Sequence, residues 1–338
     1  MMMITRRQMV SGLSALALPF IGKAKAQSPL RVGFIPILGA APLHLAEREG
    51  WAREQGLAFN FIQFESGPNM IQALASGTLD VYLAGVGPLV VAHAKGVAVK
   101  VVLSTAVEEM TVVAGAALQS FFTKGRTTAA ALAAFKSEKG RPAKLATQPA
   151  GSVPNTTLQH WLWEVGKANP ADVDIIAMGI DATQQALLTG AVDGATVREP
   201  AVTIVLNRLP QAKIIALGGE MFANQPGTVL AVTQKLIDQS PDAVQKITGL
   251  GIKALDVMAN DPARAVPSIE AALGKGLVDP AILQAALTSP ASKFVSDPRA
   301  IVEATAKMQT YQLKLGTIDK EYPVDALFEP SFYLRAKA

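Results

Sequence analysis

The sequence predicts an α/β protein of two lobes, each a largely parallel sheet flanked by helices, joined by a hinge of two crossover segments. Three observations carry this expectation. A strand–helix–strand–helix–strand order occupies residues 30–84, the same order returns over residues 143–197, and a constant shift of 113 positions superposes the two without a gap. Strands that alternate with helices in this way build parallel sheets, because a parallel pair needs a crossover helix between its members.

The first unit starts with an alternating run at 30–34 that meets Pro36. Residues 42–54 have helical spacing, with Leu43, Ala46 and Trp51 inward and Glu47, Arg48 and Arg53 outward, and Gly56 follows as a stop. Residues 58–64 alternate as a strand, 69–76 form a short helix ended by Gly77, and 80–84 read as the next strand. In the second unit the strands fall at 143–147, 173–177 and 192–197, and the helices at 154–165 and 183–189, with Gly190 as the stop. Under the shift, Gln72, Ala73 and Leu74 fall on Gln185, Ala186 and Leu187, Gly77 on Gly190, and Asp80 on Asp193. Pro36 falls on Pro149 and Leu45 on Leu158. Between and after the units, further strands are expected at 100–104, 111–116, 213–217 and 228–233, and helices from 240 to the end. The crossovers are placed near 105–118 and 211–228, giving one lobe of residues 27–110 with 218–338 and a second of 111–217.

Residues 1–26 have the form of an export signal rather than of a folded element. A basic start with Arg6 and Arg7 precedes an apolar run at 10–21, too short for a spanning helix of about 20 residues. Ala24-Lys25-Ala26 then offers a cleavage site before Gln27, and the paired arginines suit a twin-arginine route. Four of the 31 basic residues lie in this segment and none of the 27 acidic ones, so the remainder is balanced in charge. A nucleic-acid-seeking basic surface therefore loses its support. The chain has no cysteine, which excludes disulfides, thiolate metal sites, cysteine nucleophiles and a lipid-anchored N-terminal cysteine. Export without an anchor places the mature protein free in the periplasm.

The run Leu30-Arg31-Val32-Gly33-Phe34-Ile35-Pro36, then Pro42-Leu43, Glu49-Gly50-Trp51, Gly56-Leu57, Ser66-Gly67, Ala73-Leu74-Ala75-Ser76-Gly77, Asp80, Gly85-Val86-Gly87-Pro88 and Gly96 forms an ordered series. It continues with Gly151-Ser152, Ala186-Leu187, Gly190, Val192-Asp193, Glu199-Pro200, Leu315-Gly316-Thr317-Ile318, Phe328 and Ser331-Phe332. Over roughly residues 28–335 the chain thus resembles the nitrate/sulfonate/taurine-type substrate-binding proteins of ABC transporters. The resemblance implies a type II periplasmic-binding fold whose lobes close on a small, anionic ligand (sulfonate, nitrate or carboxylate), a monomer without cofactor or metal, and a membrane permease as partner.

Ligand candidates lie where strands end and helices begin, since exposed N–H groups there favour anions. In the first lobe these are Leu38 and Gly39, Ser66 and Gly67, and Gly85, Val86 and Gly87. In the second they are Gly151, Ser152 and Val153, then Arg198 and Glu199. Arg198 can grip an acidic group with two parallel hydrogen bonds, or pair with Glu199 or a neighbouring acid. Ser152 either donates to ligand or caps its helix. Thr105 can supply a hydroxyl from the hinge side, and Asn224, near the second crossover, either faces the cleft or occupies a turn. The acidic pair Glu108-Glu109 reads as a solvated loop. His44, His93 and His160 are scattered and form no metal-binding pair.

No GxSxG, GxGxxG or GxxxxGK(S/T) motif occurs, and no acidic cluster has metal-ligand spacing. The expected function is binding and release without chemistry. The alternative is an enzyme on the same fold, acting on a pyrimidine-like or carboxylate substrate.

Overall fold

A computed structural model describes residues 28–338; the export signal expected at 1–26 and its cleavage site lie outside the described residues. Ten strands are formed: β1 (Leu30–Phe34), β2 (Phe59–Gln63), β3 (Val81–Gly85), β4 (Val99–Ser104), β5 (Thr111–Ala114), β6 (Ala143–Thr147), β7 (Val173–Ala177), β8 (Gly194–Val197), β9 (Lys213–Leu217) and β10 (Thr228–Thr233). They make two five-stranded sheets of the same design, β2-β1-β3-β10-β4 and β7-β6-β8-β5-β9. In each, the central strands are apolar and buried on both faces, as in β3, whereas the edge strands β2 and β7 are only partly covered.

Both sheets are mixed, and the antiparallel member has a mechanical origin. β10 runs against β3 and β4, and β5 runs against β8 and β9. Each of these strands arrives from the other lobe through the gap between the sheets. It therefore enters at the edge where the parallel strands end, and must run the opposite way. The exchange leaves the carboxyl ends of β1, β2 and β3 facing those of β6, β7 and β8, which is the geometry that places ligands at strand ends.

The crossovers are tighter than the expected bounds of 105–118 and 211–228, because the strands also expected there, β5 and β9, take up residues 111–114 and 213–217. What remains, 105–110 and 218–227, is joined by an isolated antiparallel bridge between Val107 and Pro226, with Glu108 N–H donating to Gln225 O at 2.9 Å. Gly227 is needed for this approach: a Cβ there would lie 2.4 Å from Ala106 O.

The duplication seen in the sequence is structural. Asp80 accepts the backbone N–H of Arg31 at 3.0 Å, and Asp193 accepts that of Lys144, the position equivalent to Arg31, at 2.8 Å. Gly77 and Gly190 share a φ of +71°, and Thr78 N–H to Ala73 O repeats as Ala191 N–H to Ala186 O, both at 2.9 Å. The charge partner differs. Asp80 takes the guanidinium of Arg31 itself, whereas Asp193 takes two hydrogen bonds from Arg141, at 2.6 and 2.9 Å. Burial alone would raise the Asp193 carboxyl, but Arg141 and the Lys144 N–H hold it below the usual range.

The helix expected over 42–54 is divided into Pro42–Arg48 and Trp51–Glu54 at Gly50, whose φ is +79°. The 20-residue helix Pro241–Asn260 packs on Pro42–Arg48 and on β4, while Pro280–Leu287 reaches across to Ala201–Arg208 of the second sheet's layer. Among the described residues no helix is long and apolar enough to cross a membrane. His44, on Pro42–Arg48, stacks on Phe61 with ring centroids 3.9 Å apart and meets Phe34 edge-on at 4.5 Å. Burial lowers its pKa to about 4.

Replacing Asp193 by Ala is expected to cost about 1–3 kcal/mol in chemical denaturation, because the carboxylate is buried but Arg141 is half exposed. A pH effect is expected from His44. Between its unfolded value of about 6.5 and its folded value of about 4, the unfolded chain binds a proton that the folded chain does not, so stability falls as pH drops through that window. His44→Phe should flatten this part of a melting-temperature profile.

Candidate functional site

The strand ends meet around a buried ion pair. Arg198 follows β8, and its Nη1 donates to Glu109 Oε1 at 3.3 Å; the two side chains are 2% and 5% exposed. The same oxygen accepts the Thr228 hydroxyl at 2.6 Å, which fixes the carboxylate to the start of β10. Thr228 O in turn accepts the Thr105 N–H at 2.9 Å. Glu109 therefore overturns the reading of residues 108–109 as a solvated loop. Glu108 is partly covered and pairs with Lys293, while Glu109 turns fully inward because the two crossovers bury the chain between them. Tyr82 lies under the same region, its hydroxyl donating to Gly85 O at 2.8 Å, and burial pushes its phenol well above the usual range against the opposing charge of Arg198.

Glycines border this cluster closely. A Cβ on Gly39 would stand 2.7 Å from Thr228 Cβ and 3.0 Å from Glu109 Oε2. One on Gly85 would stand 2.7 Å from Val153 Cγ2 and 3.8 Å from Arg198 Nη1. The structure thus brings Gly39, Gly85, Thr105, Val153 and Arg198 together. Among the described residues the Nε of Arg198 and the hydroxyl of Thr105 are buried with no hydrogen-bond partner. Two polar groups are thus left to be satisfied where the strand ends meet, and such groups are costly unless something pairs with them.

The other sequence candidates form the walls or stand apart. Ser66 and Ser152 both act as helix caps, accepting from Asn69 N–H at 3.4 Å and Asn155 N–H at 3.3 Å. Gly67 packs against Tyr82 and Pro88, and Val86 N–H donates to Gly227 O at 3.0 Å. Glu199 points away: its carboxylate accepts the N–H and hydroxyl of Thr203 and so caps the Ala201–Arg208 helix, and burial raises its pKa. Asn224 is exposed at a φ of +54° and borders a surface pocket with Val107, Glu303 and Lys307, so it takes the turn role.

The lobes are closed against each other. Leu38 N–H donates to Glu199 O and Ile180 N–H to Glu65 O, both at 3.0 Å. Gln312, from the Val302–Lys314 helix, uses one amide nitrogen for both lobes: Nε2 donates to Gly87 O at 3.3 Å and Gly151 O at 3.1 Å. Gln312 carried no signal in the sequence, since a lone glutamine on a C-terminal helix is ordinarily solvated. Glu109 had one weak signal, its position inside a crossover. His160 is held structurally, its Nδ1 2.8 Å from Met221 O.

Two facing α/β lobes with a buried, partly unsatisfied arginine between them define a ligand-closing protein. The NMT1-like family model matches residues 23–271, and the chain belongs to that family. It is 26% identical over 323 residues to a putative aliphatic sulfonates-binding protein of Bacillus subtilis (strain 168), covering 93% of this chain and 90% of that one. Among solved structures it is similar to the periplasmic nitrate-binding protein NrtA of Synechocystis PCC 6803, with a TM-score of 0.77 at 14% identity over 91% of this chain and 88% of that one. It is likewise similar to the alkanesulfonate-binding protein SsuA of Xanthomonas axonopodis pv. citri bound to MOPS, with a TM-score of 0.70 at 19% identity over 91% of this chain and all of that one (100%). These likenesses confirm the two-lobed periplasmic-binding fold expected from the sequence.

Gln312→Ala removes one hydrogen bond to each lobe, of which opening breaks only one, so closure loses about 0.5–1.5 kcal/mol. The ligand-free variant is expected to shift toward the open form by roughly 2- to 13-fold. Small-angle scattering should show this as a larger radius of gyration, and a radius equal to that of wild type would remove the latch.

Proposed function

We propose that the chain is the solute-binding component of an ABC importer, which closes its lobes around a small anionic ligand and presents it to a membrane permease. The single observation that carries this reading is Arg198: a buried guanidinium at the carboxyl end of β8, facing the other lobe, with Nε unpaired among the described residues. Arginine presents a planar fork suited to sulfonate, nitrate or carboxylate oxygens. The Bacillus subtilis relative is named as a putative aliphatic sulfonates-binding protein, and two of the similar solved proteins as nitrate-binding and alkanesulfonate-binding. Their names support the anion class for this chain.

In this reading residues 27–110 and 218–338 act as one jaw and residues 111–217 as the other, with 105–110 and 218–227 as the hinge. Leu38, Gly39, Ser66, Gly67, Gly85, Val86, Gly87, Thr105, Gly151, Ser152 and Val153 line or support the gap, and Arg198 holds the acid. The segment 1–26 directs export, by the twin-arginine route, and the mature protein works as a monomer in the periplasm. Ligand contacts made by both jaws favour the closed form, which the permease recognises. The protein binds and releases without chemistry, so ligand recovered after incubation should be unchanged by mass spectrometry.

Arg198→Ala is expected to weaken binding of a small sulfonate, nitrate or carboxylate by about 30-fold or more in calorimetry, since hydrogen bonds to charged groups are worth about 1.5–3 kcal/mol each. Circular dichroism checks that the variant is folded. Unchanged affinity would remove Arg198 from the site.

A further inference from the structure

We propose that the hinge face of the protein carries a second small-molecule site, for a planar aromatic acid, and that an occupant there bridges the two lobes and favours the closed form. The site lies outside the cleft, and neither Arg198 nor Glu109 borders it. It goes beyond the binding reading above and shares with it only the opening and closing of the lobes.

The site is a pocket of about 440 Å³ where three segments meet. His160 and Glu164 come from the second lobe, Phe222 and Ala223 from the second crossover, and Lys307, Tyr311 and Lys314 from the Val302–Lys314 helix. Small-molecule sites have volumes of roughly 300–1,000 Å³, so one small ligand fits. One wall is aromatic: the His160 ring centroid stands 4.5 Å from that of Phe222, and the ring meets Tyr311 edge-on at 5.0 Å. Rings at such spacings attract a further ring, edge-on or offset, beyond what its buried area alone supplies. The backbone is irregular at the same place. Trp161–Val165 is a single π-helical turn, closed by Gly166 N–H donating to Trp161 O at 2.7 Å, and turns of this kind recur at functional sites.

The polar groups around these rings set the ligand's two ends. A backbone carbonyl can only accept, so the 2.8 Å contact of His160 Nδ1 with Met221 O puts the ring proton on Nδ1 and leaves Nε2 a bare acceptor in the neutral ring. His160 and the Glu164 carboxylate therefore suit a hydroxyl or N–H donor. Lys307 and Lys314 stand seven residues apart on one helix, roughly 10 Å, which leaves room for a ring with a polar group at each end. Two lysines against one glutamate favour a single negative charge. Lys307 is the lysine that takes it: its partner Glu303 is exposed, and exposed pairs one turn apart on a helix are weakly held. Lys314 stays with Glu164 and over the Tyr311 ring, 5.9 Å from its centroid.

An occupant touches both lobes. The Val302–Lys314 helix is carried by the first lobe, since Pro298–Ile301 and Val324–Leu327, on either side of it, pack on β4, and Gln309 donates to Tyr322 O at 2.9 Å. His160 and Glu164 belong to the other lobe, so a ligand that contacts both sides binds the closed form better and draws the equilibrium toward it.

The test is calorimetry and hydrogen exchange on the whole chain, with 4-hydroxybenzoate as the probe and 4-hydroxybenzamide as its uncharged counterpart. Wild type is expected to bind the acid at one site, about fivefold tighter than the amide. At ten times its Kd, a ligand confined to the closed form should slow exchange of the Leu38 and Ile180 N–H groups, whose hydrogen bonds cross between the lobes, by about tenfold. Ala223→Trp fills the pocket from an exposed position and should abolish binding, while Lys307→Ala should weaken it about fivefold. Both positions are exposed, so circular dichroism of either variant should match wild type. Arg198→Ala should bind the probe as wild type does. The site is overturned if wild type binds neither compound, if the amide binds as tightly as the acid, or if Ala223→Trp binds unchanged. Binding with unchanged exchange of Leu38 and Ile180 overturns the bridging. Loss of the probe from Arg198→Ala would place it in the cleft, which overturns the second site and supports the anion-binding reading. Conversely, sulfonate, nitrate and carboxylate binding that survives Arg198→Ala removes that reading and leaves the hinge-face site standing.

Discussion

A guanidinium that is taken out of water must keep a counter-charge, and this requirement organises the space between the lobes. Arg198 belongs to one sheet and Glu109 to the crossover that leaves the other, while Thr228 begins the strand that returns. The ion pair therefore ties together the ends of three segments whose meeting defines the hinge. Pairs of this kind contribute little net stability, because desolvation offsets most of their attraction. Their consequence is positional: each partner can leave only if something else satisfies the one left behind. A ligand that approaches Arg198 must therefore contend with Glu109, whichever way the charges are finally shared.

Closure draws on a few backbone contacts beside the packing of Pro280–Leu287 on Ala201–Arg208. Leu38 with Glu199 and Ile180 with Glu65 join loops that follow β1, β8, β2 and β7, all at the carboxyl edges of the sheets. Each such bond is worth about 0.5–1.5 kcal/mol net, so their sum lies in the range that a bound ligand can shift. The fold thus holds rigid what must be rigid, the two sheets with their aspartate-anchored strands, and leaves the adjustable energy at the loop ends.

The architecture was legible because it is repeated. The coincidence of Gln72-Ala73-Leu74 with Gln185-Ala186-Leu187, and of Asp80 with Asp193, reports real equivalence, down to the same carboxylate-to-backbone hydrogen bond. Arg198 was legible for a related reason, as a charged residue following a buried strand. Glu109 was not, since an acidic pair in a connection is ordinarily solvated, and its burial comes from Thr228, 119 residues away, and from the close pass of Gly227. The antiparallel strands β5 and β10 were also hidden: local pattern shows that a segment is a strand, but its direction depends on the route by which it enters the sheet.

The third tie between the lobes explains why the C-terminal helices matter beyond covering the core. The Val302–Lys314 helix touches Gly87–Ala94 on one side of the gap and Val153–His160 on the other, and Gln312 sits where the starts of those two helices come closest. A Cβ on Gly87 would lie 3.0 Å from Gly151 O, so the backbones meet almost directly and only a slender amide fits beside them. Lys314 continues the same line by pairing with Glu164 of the second lobe. The two lobes therefore cannot rotate about the crossovers alone. Opening must also part this helix from one of them, and on the second-lobe side that means giving up the Lys314–Glu164 pair, the Gln312 bond to Gly151 O and the edge-on contact of Tyr311 with His160 at 5.0 Å.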